Sequence, residues 1–248
     1  MPIYAGVSGA NRQVMKVPVG VSGANRDCRS AWAGAGSANR QIFMAGTPLS
    51  SKAVGSIVKI KENGAQTDFI VLNHGYPAGG RTLLLRKDIH SIRAWDSKSN
   101  SYSTSDIDVW LNGEYLNSID PAIRAQVVEV SIAYTISSHN WVLSILSKKV
   151  FLLSYTEVGF SGSAYAKVEG SPLAYFDSDS RRIGYLNGAA TGWWLRSPDK
   201  RNDERSWSVN SRGVSGMGTV TDANITGVRP AFTLSSSILV ADSGEIMT

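Results

Sequence analysis

Two apolar blocks enclose a long polar stretch near the end of the chain. The first is Trp193-Trp194-Leu195-Arg196, and the second is Gly227-Val228-Arg229-Pro230-Ala231-Phe232. Polar, glycine and aromatic residues alternate between them, with Trp207 and Val209 as the one evident inward-facing pair. Polar loops held by a rigid apolar scaffold commonly carry binding functions. The pattern therefore predicts a ligand-presenting loop between the two blocks.

The apolar pattern upstream predicts strands and short helices. Alternating apolar residues on both sides of Asn63-Gly64 predict a hairpin, and residues 81–89 predict a buried strand. Helix starts are indicated by Ser-Asp-Ile-Asp at 105–108, Asp-Pro at 120–121 and Ser-Tyr-Thr-Glu at 154–157. Two helices followed by strands and long loops are typical of an α+β domain.

A repeat precedes this domain. Gly-Val-Ser-Gly-Ala-Asn-Arg occurs at 6–12 and again at 20–26, and Gly-Ala-Gly-Ser-Ala-Asn-Arg follows at 34–40, each 14 residues after the last. Each unit predicts two short β-prone pieces joined by a turn that contains the asparagine. Such short units cannot bury a core alone, so we expect strand pairing with other subunits or a neighbouring protein. The residues expected to carry this assembly role are Asn11, Arg12, Asn25, Arg26, Asn39 and Arg40.

The positive charge of the chain belongs to the same segment. The net charge is +5, and residues 1–52 carry six basic side chains against one acidic one, whereas the remainder is balanced. Regularly spaced arginines could meet carboxylates or backbone carbonyls of a partner. A flexible basic leader is the alternative interpretation. Nucleic-acid binding is disfavoured, because the regular spacing suits a structural repeat better than an electrostatic patch.

Composition excludes several classes of site. Cys28 is the only cysteine, so neither an intrachain disulfide nor a thiolate metal site can form. No apolar window is long enough for a membrane-spanning helix, and the N-terminus lacks the pattern of a secretory signal. We therefore expect a protein made in the cytoplasm without a signal peptide.

Candidate catalytic and metal-binding residues form no recognisable motif. The three histidines are scattered, and the chain contains no nucleophile elbow, phosphate-binding loop or dinucleotide fingerprint. Acidic residues at 177–179 and at 199–204 could supply oxygen ligands to calcium, but neither group matches an EF-hand loop. The sequence thus predicts a non-enzymatic protein without a cofactor, and calcium stays an open alternative.

Three motifs carry a resemblance: W-W-L-R-S-P from Trp193, W-S-V-N-S-x-G from Trp207, and G-V-R-P-A-F from Gly227. Together they resemble the end of a C-type-lectin-like domain family found in phage and gut-bacterial surface proteins. That fold is shared with the variable proteins of diversity-generating retroelements and with formylglycine-generating enzymes. The latter use a cysteine pair in their C-terminal region, which this chain lacks, so their chemistry is excluded.

The resemblance implies an α+β, C-type-lectin-like domain over residues 54–240. It would follow a repetitive, β-prone N-terminal segment at 1–50 and precede a tail at 241–248. In the retroelement relatives the stretch between the apolar blocks is the receptor-binding face. The matching candidates here, together with one tryptophan of the first block, are Trp194, Arg201, Asn202, Asp203, Arg205, Trp207, Asn210, Arg212, Met217, Thr221 and Asn224.

The repeats resemble N-terminal attachment segments of phage virion proteins. Together the resemblances imply a protein on the exposed surface of a phage head or tail. Its repeats would hold other virion proteins, with a homo-oligomer expected and a trimer favoured, and its domain would bind a host-cell receptor or glycan. Two alternatives stay open: a purely structural decoration or tail-assembly subunit, and a bacterial surface adhesin.

Overall fold

Three β-hairpins occupy the repeat segment, residues 1–50. The computed structural model describes the backbone of residues 3–7, 10–14, 18–21, 24–27, 30–35 and 38–44, and the chain from 46 to 248 in full. Each hairpin forms its own two-stranded sheet. The paired strands are β1 (Ile3–Val7) with β2 (Ala10–Val14), β3 (Pro18–Val21) with β4 (Ala24–Asp27), and β5 (Ser30–Ala35) with β6 (Ala38–Met44).

The three hairpins share one register around the repeat motif. The asparagine of each motif lies directly opposite its first glycine, as Asn11 does opposite Gly6, Asn25 opposite Gly20 and Asn39 opposite Gly34. The expectation that these asparagines form the turns was wrong, because each is the second residue of a returning strand. The register leaves two residues to join the strands, a length common in hairpins. Those joining residues lie outside the described part of the chain.

The rest of the chain is rich in β-structure, with short helices. The strands are β7 (Gly46–Pro48), β8 (Ile57–Glu62), β9 (Ala65–His74), β10 (Arg81–Arg86), β11 (Val130–Thr135), β12 (Leu143–Lys148), β13 (Val150–Phe151), β14 (Gly184–Leu186), β15 (Ala189–Pro198), β16 (Arg205–Val209), β17 (Ser215–Thr219), β18 (Thr226–Gly227), β19 (Ala231–Ser235), β20 (Leu239–Ala241) and β21 (Ile246–Met247).

The central sheet has five antiparallel strands in the order β13-β19-β10-β9-β8. The predicted hairpin is confirmed, because β8 and β9 pair across Asn63 and Gly64, which have φ angles of 48° and 80°. Positive φ at both turn residues is what a tight two-residue hairpin turn requires. The buried strand predicted over 81–89 ends at Arg86.

A second sheet has the order β14-β15-β16-β17, and β18 pairs with β15 in parallel. This pairing places the two apolar blocks side by side, with Trp193 opposite Gly227. The stretch between the blocks, expected as a polar loop, instead contains the hairpin of β16 and β17. Only shorter polar turns remain between the two blocks and this hairpin, and these strands hold the ends of those turns in place.

Short helices cover the region between β10 and β11. Two predicted helix starts are confirmed: the Ser105 hydroxyl accepts from the Asp108 N–H, and the Asp120 carboxylate accepts from the Ala122 N–H. The helices are α1 (Asp106–Trp110), α2 (Leu116–Ser118), α3 (Pro121–Arg124) and, further along, α4 (Asp179–Arg182), with a π-helix at Leu111–Tyr115 and 3₁₀ turns at Leu49–Ser51 and Tyr102–Thr104.

The third predicted start, at 154–157, gives only a turn. The reciprocal hydrogen bonds of a capping box do form: Ser154 N–H donates to the Glu157 carboxylate (2.9 Å), and Glu157 N–H donates to the Ser154 hydroxyl (3.0 Å). The chain does not continue as a helix, because Gly159 has a φ of 82°. The cap therefore positions Glu157 and does not begin a helix.

The last residues belong to a small sheet in the order β21-β20-β7. Strand β7 lies directly after the repeat segment, and β20 pairs with it over three residue pairs. The segment expected as a tail from residue 241 therefore contains the strand Ile246–Met247, and Ile246 is buried. This sheet connects the end of the chain to residues 46–48.

Candidate functional site

Both tryptophans of the first apolar block lie in the core. Trp194 was expected to take part in ligand binding and so to face outward, but the relative exposure of Trp193 and of Trp194 is 0%. The Trp194 indole N–H donates to the backbone carbonyl of Arg93 (2.8 Å), and its ring packs on the Cα of Gly218, where a side chain would collide with it. Trp194 therefore has no surface for a ligand, and its assignment as a binding residue is corrected.

Trp207 is also mostly enclosed, with 6% of its surface exposed. Its ring centroid lies 4.5 Å from that of Tyr155, and its indole N–H donates to the carbonyl of Tyr165 (3.3 Å). Aromatic pairs at this separation stabilise packed cores. Trp207 thus supports the loop that carries Tyr165 and offers a ligand little surface of its own.

A buried carboxylate organises two of the predicted arginines. Asp199 has no exposed surface and accepts hydrogen bonds from the Arg201 guanidinium at 2.9 and 3.0 Å. The Nε atom of Arg205 lies 4.0 Å from the same carboxylate. The hydrogen bond to Asp199 raises the pKa of Arg201 above its usual value. Both guanidiniums are held in place while their side chains stay partly exposed.

A buried amide fixes the loop around these arginines. The Asn100 side chain donates to the carbonyls of Asp199, Asn202 and Arg205, at distances between 2.9 and 3.2 Å. Its amide oxygen accepts from the Ser138 N–H (3.0 Å). One side chain, distant in sequence, thereby joins the 199–205 segment to the 137–142 turn.

Aromatic and basic side chains meet around the same loop. The Arg201 guanidinium lies 4.2 Å from the centroid of the Tyr165 ring, and the Lys167 and Lys200 ammonium groups each lie 5.7 Å from that of Trp141. These are cation–π distances. We define the loop face by the segments 137–142, 163–167 and 199–205. It contains an open surface pocket of about 210 Å³ lined by Ser138, His139, Lys200, Arg201, Asn202 and Asp203.

A larger open groove adjoins the loop face. It has a volume of about 480 Å³ and a lining of amides, hydroxyls and a few apolar side chains. We call it the C-terminal groove. Met217 belongs to both surfaces, because its sulfur lies 2.8 Å from an Arg201 amino group and its side chain also lines the groove. The lining residues used below are Asn210, Met217, Asn224 and Ile225.

The remaining predicted residues have local roles or open positions. Asn210 accepts from the N–H groups of Arg212 and Val214 and so closes the turn between β16 and β17. That turn requires Gly213, which has a φ of 82° and no room for a side chain beside the carbonyl of Asp179. Arg212 and Thr221 are exposed.

The structure thus brings seven of the eleven predicted residues to two adjoining surfaces. Arg201, Asn202, Asp203 and Arg205 lie on the loop face, Asn210 and Asn224 line the groove, and Met217 joins the two. No sequence pattern indicated Trp141, Tyr165 or Lys167, because contacts between distant segments bring them to the loop face.

A buried ionic cluster lies behind the loop face. The Arg196 guanidinium donates to the carbonyls of Ala133 (2.9 Å) and Leu152 (2.8 Å) and to the Glu157 carboxylate (2.7 Å). Glu169 lies 3.9 Å away and accepts from the Ser197 hydroxyl (2.6 Å). Burial raises the pKa of Glu169, although Arg196 opposes that shift. The arginine of the W-W-L-R-S-P motif therefore joins three segments of the fold.

The arginine of the second block is structural as well. Arg229 is buried against the Trp193 ring, 4.8 Å from its centroid, and donates to the carbonyls of Arg86 and Lys87. Burial lowers its pKa to about 10. The recognised motifs therefore build the scaffold of the site.

The acidic residues considered for calcium mostly pair with arginines. Asp177 lies 3.4 Å from Arg181, Asp179 lies 2.8 Å from Arg182, and Asp199 holds Arg201. Within the described residues, no group of three or more His, Cys, Asp or Glu side chains is placed to hold a metal ion. Among the same residues, no helix is long and apolar enough to span a membrane.

Fold and site together define a β-rich domain with a polar, arginine-bearing surface held by buried motif residues. Residues 79–236 match the model of the family described as domain of unknown function DUF6273, and the chain therefore belongs to that family. The match includes both apolar blocks and the hairpin between them. No curated protein and no solved structure matched the chain.

Proposed function

We propose that the chain is a non-enzymatic phage or phage-derived particle protein that binds a host-cell receptor or glycan. Its domain, which we take to be C-type-lectin-like, would bind through the loop face and the C-terminal groove. The observation that carries this proposal is the position of Met217. It contacts the arginine pair held by Asp199 and also lines the groove of about 480 Å³.

The chemistry of the two surfaces favours a glycan that carries anionic groups. The Nε and one amino group of Arg201 already bind Asp199, but both Arg201 and Arg205 keep N–H groups that can form charge-assisted hydrogen bonds with carboxylates or phosphates. Because Asp199 already orders them, little side-chain entropy is lost on binding. The amides and hydroxyls of the groove suit sugar hydroxyl groups, and Met217 and Ile225 offer apolar contact to a sugar ring.

Multivalent display would supply the avidity. The repeat segment would attach the protein to other virion subunits, and many copies on one particle would convert weak single-site binding into strong attachment. The three hairpins with one shared register support an assembly role, since a two-stranded hairpin alone is marginally stable in water.

The test is binding of the fluorescently labelled full-length chain to intact bacterial cells from a broad host panel. We expect saturable binding, and we expect the double variant Arg201→Ala/Arg205→Ala to lose at least about tenfold in affinity. Arg124→Ala is the matched control, because Arg124 is also a partly exposed arginine, bonded to Asn117 and outside both surfaces. Circular dichroism would show that the variants are folded.

A purely structural subunit is the second candidate, and one observation favours it. Val142, Leu143 and Ile145 leave between 46% and 63% of their surface exposed on one hairpin. Contiguous exposed apolar residues often mark protein–protein contacts. Absence of cell binding across the panel, with full-length protein still assembling onto particles, would establish this alternative and overturn receptor binding.

A further inference from the structure

One edge of the β11–β12 hairpin is unpaired. Strand β11 pairs with β12 over six residue pairs without a shift in register, and the two strands form a sheet of their own. On the edge of β11 that faces away from β12, the Thr135 N–H donates to Glu169 (2.7 Å), and the Ala133 carbonyl accepts from Arg196 (2.9 Å). The backbone groups of these residues therefore point away from β12.

Three other backbone groups on this edge have no hydrogen-bond partner within the described chain. In an antiparallel strand, the N–H and C=O of one residue point to the same edge, and every second residue shares that edge. Ser131 and Ala133 therefore face the free edge together with Thr135. Within the described chain, no hydrogen bond reaches the Ser131 N–H, the Ser131 carbonyl or the Ala133 N–H. Such an edge is a template for another strand.

The free edge forms one wall of a groove of about 330 Å³. Residues 170–173 form the opposite wall, residues 75–77 close one side, and the exposed Ile145 is part of the lining. Gly170 packs directly against the Glu157 carboxylate, since a side chain there would lie 3.0 Å from Oε1, and Glu157 is buried beneath this part of the lining. The groove combines strand-pairing groups with apolar walls and lies above one buried carboxylate.

The charge of the groove favours a cationic occupant. Arg196 is the single guanidinium between two carboxylates, at 2.7 Å from Glu157 and 3.9 Å from Glu169. Tyr76 donates its hydroxyl to Glu157 (2.6 Å) and adds no charge. The cluster beneath the groove thus carries one more negative than positive group when both carboxylates are ionised. A basic side chain beside a bound strand would offset this excess.

We propose that the groove binds a strand of the repeat segment from a second copy of the chain. The repeat segment forms strands, and no other described strand pairs with the outer edges of its three hairpins. Residues 1–52 also carry the whole net charge of the chain, +5. Backbone pairing along an exposed sheet edge would supply the affinity, and complementary charge would supply the preference. This inference rests on the assembly role given to the repeats, but not on the ligand of the loop face.

The test is sedimentation of the full-length chain over a range of concentrations. Ser131→Pro removes an N–H from the free edge without breaking a bond to β12, and we expect it to weaken self-association about tenfold, as for the loss of one backbone hydrogen bond. Ser147→Pro is the matched control, because Ser147 lies opposite Ser131 and its N–H faces the far edge of β12. It should leave self-association unchanged.

A second probe identifies the occupant. A labelled peptide of residues 3–16 should bind the full-length chain and be displaced by an excess of the unlabelled peptide, and the Arg12→Glu peptide should bind at least about tenfold more weakly. If Ser131→Pro fails to fold, Ser171→Trp replaces it, since this bulky residue would fill the groove from its opposite wall.

The outcomes separate the two proposals. Self-association that withstands both groove variants but is lost in the triple variant Arg12→Glu/Arg26→Glu/Arg40→Glu would overturn the groove while leaving the assembly role intact. A chain that is monomeric at all concentrations and binds no repeat peptide would overturn both. Neither result bears on cell binding through the loop face.

Discussion

Two arginines five positions apart on one segment have opposite environments. Arg196 has no exposed surface and donates to two backbone carbonyls and one carboxylate. Arg201 keeps 39% of its side chain exposed, although Asp199 holds it through two hydrogen bonds and Tyr165 lies beneath it. Both are ordered, but only Arg201 can reach a partner molecule.

The difference separates the residues that build the domain from those that can bind. Arg196 and Arg229 come from the motifs by which the C-terminal region is recognised, and both donate to backbone carbonyls inside the fold. Arg201 and Arg205 lie between those motifs, where one buried carboxylate orders them. The motifs of this chain therefore identify a scaffold, and the residues proposed for binding lie between them.

Removal of the buried arginine should have the largest effect on stability. Arg196→Met leaves Glu157 and Glu169 buried without a counter-charge, so we expect a loss of about 3–5 kcal/mol in the free energy of unfolding. Arg201→Met is the matched control, and it should cost clearly less, because Arg201 is partly exposed and Arg205 remains 4.0 Å from the buried Asp199 carboxylate. Urea denaturation measures both. Equal losses would contradict the division between scaffold and surface.

Replacing the buried carboxyl group of Glu169 tests the same difference between scaffold and surface residues, with a smaller effect that depends on pH. Burial raises the pKa of the Glu169 carboxyl group above its usual value. The folded state then binds this proton more tightly than the unfolded state. Protonation of Glu169 therefore adds fully to the free energy of unfolding below the unfolded pKa, and this stabilisation is lost as pH rises through the folded pKa. Glu169→Gln should remove that decline.

The measurement for this prediction is urea denaturation across the acidic to neutral range. Glu204→Gln is the control, because Glu204 is exposed and should leave the pH profile unchanged. A variant that keeps the decline of the wild type would mean that another group titrates, and the role assigned to Glu169 would be incorrect.

Local signals in the sequence were sufficient for turns and caps. The Asn63-Gly64 hairpin and the caps at Ser105 and Asp120 follow from short-range backbone chemistry, which residues a few positions apart determine. The capping box at Ser154 forms its bonds but gives no helix, because Gly159 adopts a positive φ. At Ser154 the sequence pattern therefore predicted the hydrogen bonds of the cap correctly, but not the helix.

The candidate site depended on contacts that no local pattern shows. Asn100 joins Ser138 to the 199–205 segment across about a hundred residues of sequence. The β11–β12 hairpin was not predicted, because β12 alternates between exposed and half-exposed residues and buries no face of its own. The outward orientation expected for Trp194 failed because the ring packs on Gly218, a contact between different strands.

Hydrogen–deuterium exchange of the full-length chain, with and without cell-wall material from a host that it binds, tests the central claim most directly. The account predicts slower exchange in residues 199–205 and 208–226, and unchanged exchange in residues 131–133 and 170–173. Protection confined to the groove beside β11, or absent throughout the domain while the chain still binds the material, would contradict ligand binding through the loop face and the C-terminal groove.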